Sequence, residues 1–390
     1  MSETEAGGAR GSWRAYLLVA LTVLVAYAPI LRNGFVYDDL PYVLENPAVV
    51  APTLANVLGD TFPPGRRDTA LYRPLLTLTY VVDRALSGGD PVIQARVAHG
   101  HNLLLHAAVS LLLLAAWRRL VAPPVALVGV MFYAVHPALS ETVAWVAARS
   151  EGLLGLWAAL GLWCAVRGGP PRRVGLQLAV LTVLAVLSKE SGVVLPVAWA
   201  LAALATRPRC TRADVGALVA PALAVALLAV ILRAISFQGL APPVRAFGGL
   251  DAATRAVVTG MVFTRYLCTC LWPTRQTVHW PPLPLAPQPA AAWLALVAAA
   301  GLVIVAVVGL RRRRPWGLGA AWFLVGLVPY SHVIFPIGAI WAERFLYVPA
   351  MGLGLMLASL VEPLWRVPRG RGAARIGAVM LVLAGVAATW

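Results

Sequence analysis

Asp38 and Asp39 stand side by side in the stretch Asn33-Gly-Phe-Val-Tyr-Asp-Asp-Leu-Pro-Tyr-Val-Leu-Glu-Asn-Pro47, just beyond the first apolar run. Acids are scarce in this chain: 16 of 390 residues are Asp or Glu, against 32 Lys or Arg. Neighbouring carboxylates at a membrane boundary repel each other and lose hydration, so the pair is suited to binding a cation or taking a proton. The competing reading is that one of them caps a short helix after the turn at Gly34.

The elements that must position this pair are membrane helices. With 60% hydrophobic residues and a mean hydropathy of +0.78, the chain reads as an all-α polytopic membrane protein. Its net charge of +16 does not point to nucleic acid. Five short stretches between apolar runs, 118–124, 167–173, 207–213, 311–315 and 366–375, together hold 16 Arg and no acid. The positive-inside rule makes them cytoplasmic. Apolar runs at about 14–31, 99–117, 124–136, 151–166, 174–188, 191–206, 214–234, 291–310, 316–335, 347–364 and 376–390 predict about eleven crossings. Segment 256–272 is expected to take a re-entrant or interfacial path, because a full crossing would put Arg311–Arg314 on the side of the external loops. The run Ala15–Leu31 holds a small-x-small site at Ala26-Tyr27-Ala28, but Pro29 follows it, which favours an uncleaved helix. Cys164, Cys210, Cys268 and Cys270 form no CxxC, so neither a disulfide framework nor a zinc site is expected.

Residues 32–98 form a long first external loop. Within it Leu71, Leu75, Leu78, Val82 and Leu86 recur at helical spacing opposite Arg73, Thr77, Tyr80 and Arg84, which predicts a helix lying in the headgroup plane. Such a helix either anchors the loop or walls a cavity. Two Pro-rich stretches, Leu240–Arg245 and Trp272–Pro289, read as further external loops, with Trp280 and Trp293 at the interface. His99, His101, Asn102 and His106 fall together; hydrogen bonds between helices explain them better than metal ligation. His136-Pro137 is placed to end the third span and set the loop carrying Glu141.

Six strings occur in order: Gly34-Phe-Val-Tyr-Asp-Asp39, Tyr72-Arg-Pro-Leu75, His101-Asn-Leu-Leu-Leu-His106, His136-Pro-x-x-x-Glu141-x-Val-Ala-Trp145, Ser188-Lys-Glu-Ser191 and Glu343-Arg-Phe-Leu-Tyr-Val-Pro349. In that order the chain resembles the membrane portion of the transmembrane-and-TPR protein O-mannosyltransferases, members of the GT-C superfamily, and their bacterial relatives. The likeness runs from about Asn33 to Leu355. It implies a single GT-C-like transmembrane domain over residues 1–390. Members of that family continue into tetratricopeptide helix pairs, and no repeat of 34 residues occurs here. Either the sequence is truncated or this member lacks the array.

The resemblance also implies roles. Asp38 matches the base that removes a proton from the acceptor hydroxyl in an inverting transfer from a polyprenyl-phosphate sugar. Phe35 and Tyr37 beside it would raise its pKa and improve it as a base. Asp39 would orient the acceptor, or hold a divalent ion in members that use one; no other cofactor is implied. The donor phosphate would be met by Arg149, Arg344, Lys189 and Arg73, with Glu141, Glu190, Glu343, His106, His136 and Tyr347 in support. Arg149 would share a helix side with Glu141 and Trp145 if that segment were one helix. Lys189 is the single Lys beside 31 Arg, which points to a site where a compact ammonium is needed. Glu190 would then point elsewhere on a helix.

The function implied is transfer of a sugar, with mannose indicated, to a Ser or Thr hydroxyl of a protein at the outer membrane face, expected to be the periplasmic side of a bacterial inner membrane. The partners would be the bilayer, the lipid-linked donor, and an acceptor protein or glycan. A lipid or polysaccharide acceptor is the alternative within the superfamily. A secondary transporter is disfavoured, since no internal repeat is evident and the Asp pair lies in an outer loop. A non-catalytic assembly subunit is the third class.

Overall fold

The computed structural model describes residues 3–61, 64, 71–207, 210–236, 251–271, 273, 289–333, 337 and 339–389. Its helices are α1 (Glu3–Tyr27), the short α2 (Pro47–Val50) and α3 (Leu54–Gly59), α4 (Pro74–Leu86), α5 (Pro91–Trp117), α6 (Pro123–Ala134), the short α7 (Ser140–Ala144), α8 (Arg149–Val166), α9 (Pro171–Ser188), α10 (Leu195–Thr206), α11 (Arg212–Ser236), α12 (Ala252–Leu271), α13 (Pro289–Arg311), α14 (Pro315–Leu327), α15 (Pro349–Arg366) and α16 (Pro368–Thr389). Every apolar run read from the sequence contains a helix. Proline opens many of them: its fixed φ suits the first turn, where the missing N–H costs no hydrogen bond.

The arginine clusters meet at one end of the bundle. Arg119, Arg167 and Arg173 line one cleft, and Arg119, Arg313 and Arg314 line a second. At this end Arg118 also stacks on Tyr16 of α1. At the opposite end Thr389 of α16 reaches the Ala26 carbonyl of α1, and His136 Nε2 donates to the Cys270 carbonyl of α12 at 3.0 Å. That opposite end carries the Asp38–Asp39 loop. The middle of α12, at Gly260, lies on Ala292 and Ala295 in the first turns of α13. Because α13 runs from there to Arg311 at the Arg-rich end, α12 has both these contacts near the acidic end. The Pro-rich stretch 240–245, residues 274–288 and Trp280 lie outside the described residues; Trp293 is exposed at the start of α13.

Among the described residues six helical segments are long and apolar enough by themselves to cross a bilayer: Trp13–Arg32, Pro91–Trp117, Pro171–Ser188, Arg212–Ser236, Ala292–Arg311 and Gly370–Thr389. The pair Pro123–Ala134 and Pro137–Ala144, bent by 56°, makes a seventh if it is one broken span. The chain is thus a multi-pass membrane protein. Four of the eleven runs fall outside this number: α10 and α14 are only 12 and 13 residues long, and at 1.5 Å per residue such helices are shorter than the ~30 Å hydrocarbon layer, while α8 opens on Arg149 and Glu151 and α15 closes on Glu362 and Arg366.

Small residues let the helices approach closely, as is usual where lipid removes the hydrophobic drive between them. A Cβ on Gly319 of α14 would stand 2.6 Å from the Gly352 carbonyl of α15, and one on Gly129 of α6 would stand 2.5 Å from the Gly354 carbonyl. The first external loop is held from within. Asn46 caps α2 by accepting from Ala48 N at 2.9 Å, and its amide donates to buried Asp60, which also accepts from Thr77 of α4. Val43, Val49, Leu76, Tyr80 and Val146 form a small core beneath the loop.

Helix α4 matches the amphipathic pattern, with one addition. Leu78, Val82 and Leu86 are exposed, as a lipid-facing stripe should be. The opposite side does not face water: Thr77, Tyr80 and Asp83 are buried against the bundle.

Candidate active site

Asp38 and Asp39 have separate fates. Asp39 is fully buried, its Oδ1 accepting from Ala147 N at 2.7 Å and its Oδ2 from Val36 N at 3.0 Å. It clamps the loop to the single turn Val146–Ala148 that precedes α8. Asp38 stays exposed. Neither caps the turn Leu40–Leu44 that follows: Asp39 stands at its N-cap position without a side-chain cap bond. Tyr37, beside them, has φ +48°, an uncommon conformation for a bulky residue that turns the chain sharply just before the pair.

Burial raises the Asp39 carboxyl to about 6, against the pull of the Val36 and Ala147 amides. Desolvation also raises Asp38, and the Arg344 guanidinium opposes that shift, so the two groups lie within electrostatic range of each other. Tyr42 feels both the Asp38 carboxylate and the Arg73 guanidinium. Sequence reasoning missed Tyr42, and nothing beyond its closeness to the Asp pair in the chain signals it.

Arg344 is held by Glu141. Its backbone N donates to Glu141 Oε2 at 2.7 Å and its Nη1 pairs with Oε1. The guanidinium lies over Trp145 at 5.1 Å and over Phe345 at 5.0 Å, and the side chain keeps 21% of its surface open. Arg73 makes a bidentate pair with Glu190. Lys189 pairs with buried Glu151, and Tyr330 donates to Glu151 Oε2 at 3.1 Å. The ammonium sits over the rings of Tyr330 and Phe345, which stack on each other at 4.3 Å. Glu151 and Tyr330 were not expected from the sequence.

Arg149 requires a correction. It is 1% exposed, and its guanidinium is engaged by Asn102 Oδ1 (2.7 Å), Thr79 Oγ1 (2.9 Å), the Ala98 carbonyl (2.9 Å) and Asp83 Oδ2 (2.6 Å), with Tyr80 against its face. No face is open to a lipid phosphate. Nor does it share a helix side with Glu141 and Trp145, because the backbone turns extended at Trp145 and α8 begins afresh at Arg149. Asp83 also pairs with His101, so these residues bind α4, α5 and α8 into one polar core. Lys189 is likewise buried and matched to a carboxylate, which removes it from direct phosphate contact. Its backbone is extended rather than helical, so Lys189 and Glu190 part to Glu151 and Arg73 for that reason.

Of the supporting residues, His106 bonds Tyr347 Oη at 2.8 Å and the Ala134 carbonyl at 3.0 Å, deep in the bundle. His136 caps the turn Pro137–Leu139 and so sets the segment carrying Glu141. Glu343 is buried beside Arg344. The surroundings of Asp39 do not fit a dedicated metal cage: backbone amides take both oxygens, and among the described residues no three His, Cys, Asp or Glu side chains gather.

No family model matches the chain. Across 392 residues it is 25% identical to protein O-mannosyl-transferase TMTC3 of Mus musculus, covering 89% of this chain and 42% of that protein. A protein O-mannosyl-transferase of Caenorhabditis elegans is 24% identical over 387 residues, 93% of this chain and 53% of its own length. The chain's homologues are protein O-mannosyl-transferases. It spans about half the length of the relatives it matches. The crystal structure of the Archaeoglobus fulgidus oligosaccharyltransferase, tethered with an acceptor peptide, superposes with a TM-score of 0.52 at 12% identity, over 97% of this chain and 55% of that one. The chain therefore shares its fold with that oligosaccharyltransferase.

Proposed function

We propose that this chain is a glycosyltransferase that moves a sugar, mannose by likeness to the O-mannosyl-transferases, from a polyprenyl-phosphate carrier to a protein hydroxyl. The observation that carries the reading is an exposed Asp38 carboxylate within electrostatic range of the partly open Arg344 guanidinium. The two supply opposite needs of one displacement.

In that reaction the acceptor oxygen attacks the anomeric carbon and passes its proton to Asp38. The bond from that carbon to the phosphate oxygen breaks on the opposite side, which inverts the centre. Negative charge then grows on the departing phosphate, where Arg344 lies preorganised by Glu141, Trp145 and Phe345. Arg73, matched by its bidentate pair with Glu190, braces the start of α4 rather than adding net charge. Asp39 acts by holding the loop rather than by touching substrate. The end of the bundle opposite the arginine clusters would be the outer face.

The direct test supplies radiolabelled polyprenyl-phosphate sugars to membranes containing the full chain and follows donor loss and labelled product. Label in protein, removable by β-elimination, supports the reading. Label in lipid or polysaccharide favours the alternative acceptor, and no donor consumption above that of an Asp38→Asn control rejects a transferase.

A further inference from the structure

The arginine clusters at the other end build something more specific than a charge bias. The cleft lined by Arg119, Arg167, Arg173 and Gln177 has a volume of about 310 Å³, and the cleft lined by Arg119, Arg313 and Arg314 about 450 Å³. Arg119 stands in both. Among the described residues no carboxylate lines either cleft. Gly168 and Gly169, at φ +85° and +115°, make the tight reversal between α8 and α9 that brings Arg167 and Arg173 to one cavity. Arg167 is fixed there by Gln177 Oε1 at 2.9 Å and by the Trp163 ring at 4.4 Å. Like charges gathered without acids repel, and an anion shared between them removes that cost.

A second observation indicates what kind of anion. Below Arg173 and Gln177, Leu176, Val180 and Val183 continue the same stripe of α9 at helical spacing and are 65%, 53% and 41% exposed. A cationic cleft at the head of an open apolar stripe matches a lipid, phosphate above and acyl chain below, rather than a free ion. We infer that the paired clefts around Arg119 bind the phosphodiester headgroup of an anionic phospholipid, with its acyl chain along Leu176, Val180 and Val183. This inference is independent of the transfer reaction at the opposite end.

The test uses the full chain in nanodiscs of phosphatidylcholine with a minority of phosphatidylglycerol, and counts lipids retained by native mass spectrometry after release. Phosphatidylglycerol should be retained over phosphatidylcholine. Arg119→Gln should weaken that retention roughly fivefold, as removal of one membrane-proximal charge does, and Arg119→Lys should restore most of it. Arg375→Gln, which removes equal charge but stands on Trp365 of α15 outside both clefts, should leave retention unchanged. Equal retention of the two lipids overturns the proposal. So does an equal loss in the Arg375 variant, which would mean diffuse charge, or displacement by millimolar inorganic phosphate, which would mean a free-anion site. If Arg119→Gln fails to fold, Leu176→Ser at the exposed stripe gives the same discrimination through weaker lipid retention.

Discussion

Arg73 and Glu190 are 117 positions apart in the chain and form a two-pronged ion pair, Nε to Oε2 at 3.0 Å and Nη2 to Oε1 at 2.7 Å. The pair fastens α4 to the turn between α9 and α10, so the external loop is docked on the bundle rather than resting on lipid. Because the two side chains keep 13% and 27% of their surface, breaking the pair should cost less than the ~3–5 kcal/mol of a fully buried one. Glu190→Gln should therefore lower the thermal midpoint in detergent modestly, while Arg73→Lys, which keeps charge but loses the fork, should lower it less. A midpoint unchanged by Glu190→Gln would show that the loop docks without this pair.

Asp38 should separate chemistry from folding. Loss of a general base costs about 10²- to 10⁴-fold in rate, so Asp38→Asn should abolish most donor turnover. Its exposed side chain makes no hydrogen bond on which the fold depends, so the thermal midpoint should match the parent. A variant that retains turnover, or that no longer inserts, would remove Asp38 from the base's role.

Asp39 should leave its mark on stability against pH. Its folded pKa of about 6 lies above the usual 3.8, so the folded protein holds this proton more tightly than the unfolded chain. The stabilisation is complete below about pH 4 and is lost as pH rises through 6, by ~3 kcal/mol at most from the span of the two pKa values. Asp39→Asn should flatten the thermal midpoint between pH 4 and 6, at the cost of placing an amide where two backbone N–H groups need an acceptor. The measurement is a set of melting curves across that window. An identical pH slope in the variant would assign the dependence to other groups.

Arg149 should behave as a structural residue. Arg149→Met leaves Asp83 buried opposite an apolar chain, and removing one partner of such a pair costs ~3–5 kcal/mol. Yield and midpoint should collapse together. A well-folded Arg149→Met protein with raised donor KM alone would instead return Arg149 to the phosphate site.

The sequence by itself determined the helices and the end of the bundle that carries the Asp pair. Apolar runs of membrane length, prolines at first turns and arginine clusters between runs are local signals, written in consecutive residues, and each acts before any tertiary contact forms. The adjacent carboxylates at Asp38 and Asp39 were legible for the same reason. What the sequence left undivided was which acid stays open and which arginine is spent. Those choices rest on pairs far apart in the chain: Arg344 with Glu141, Lys189 with Glu151, Arg149 with Asp83, Asp39 with the Ala147 amide. A buried charge must find a partner wherever the fold offers one. Only the packing of α4, α5 and α8 put Asp83 within reach of Arg149, enclosing that arginine and leaving Arg344 within electrostatic range of Asp38.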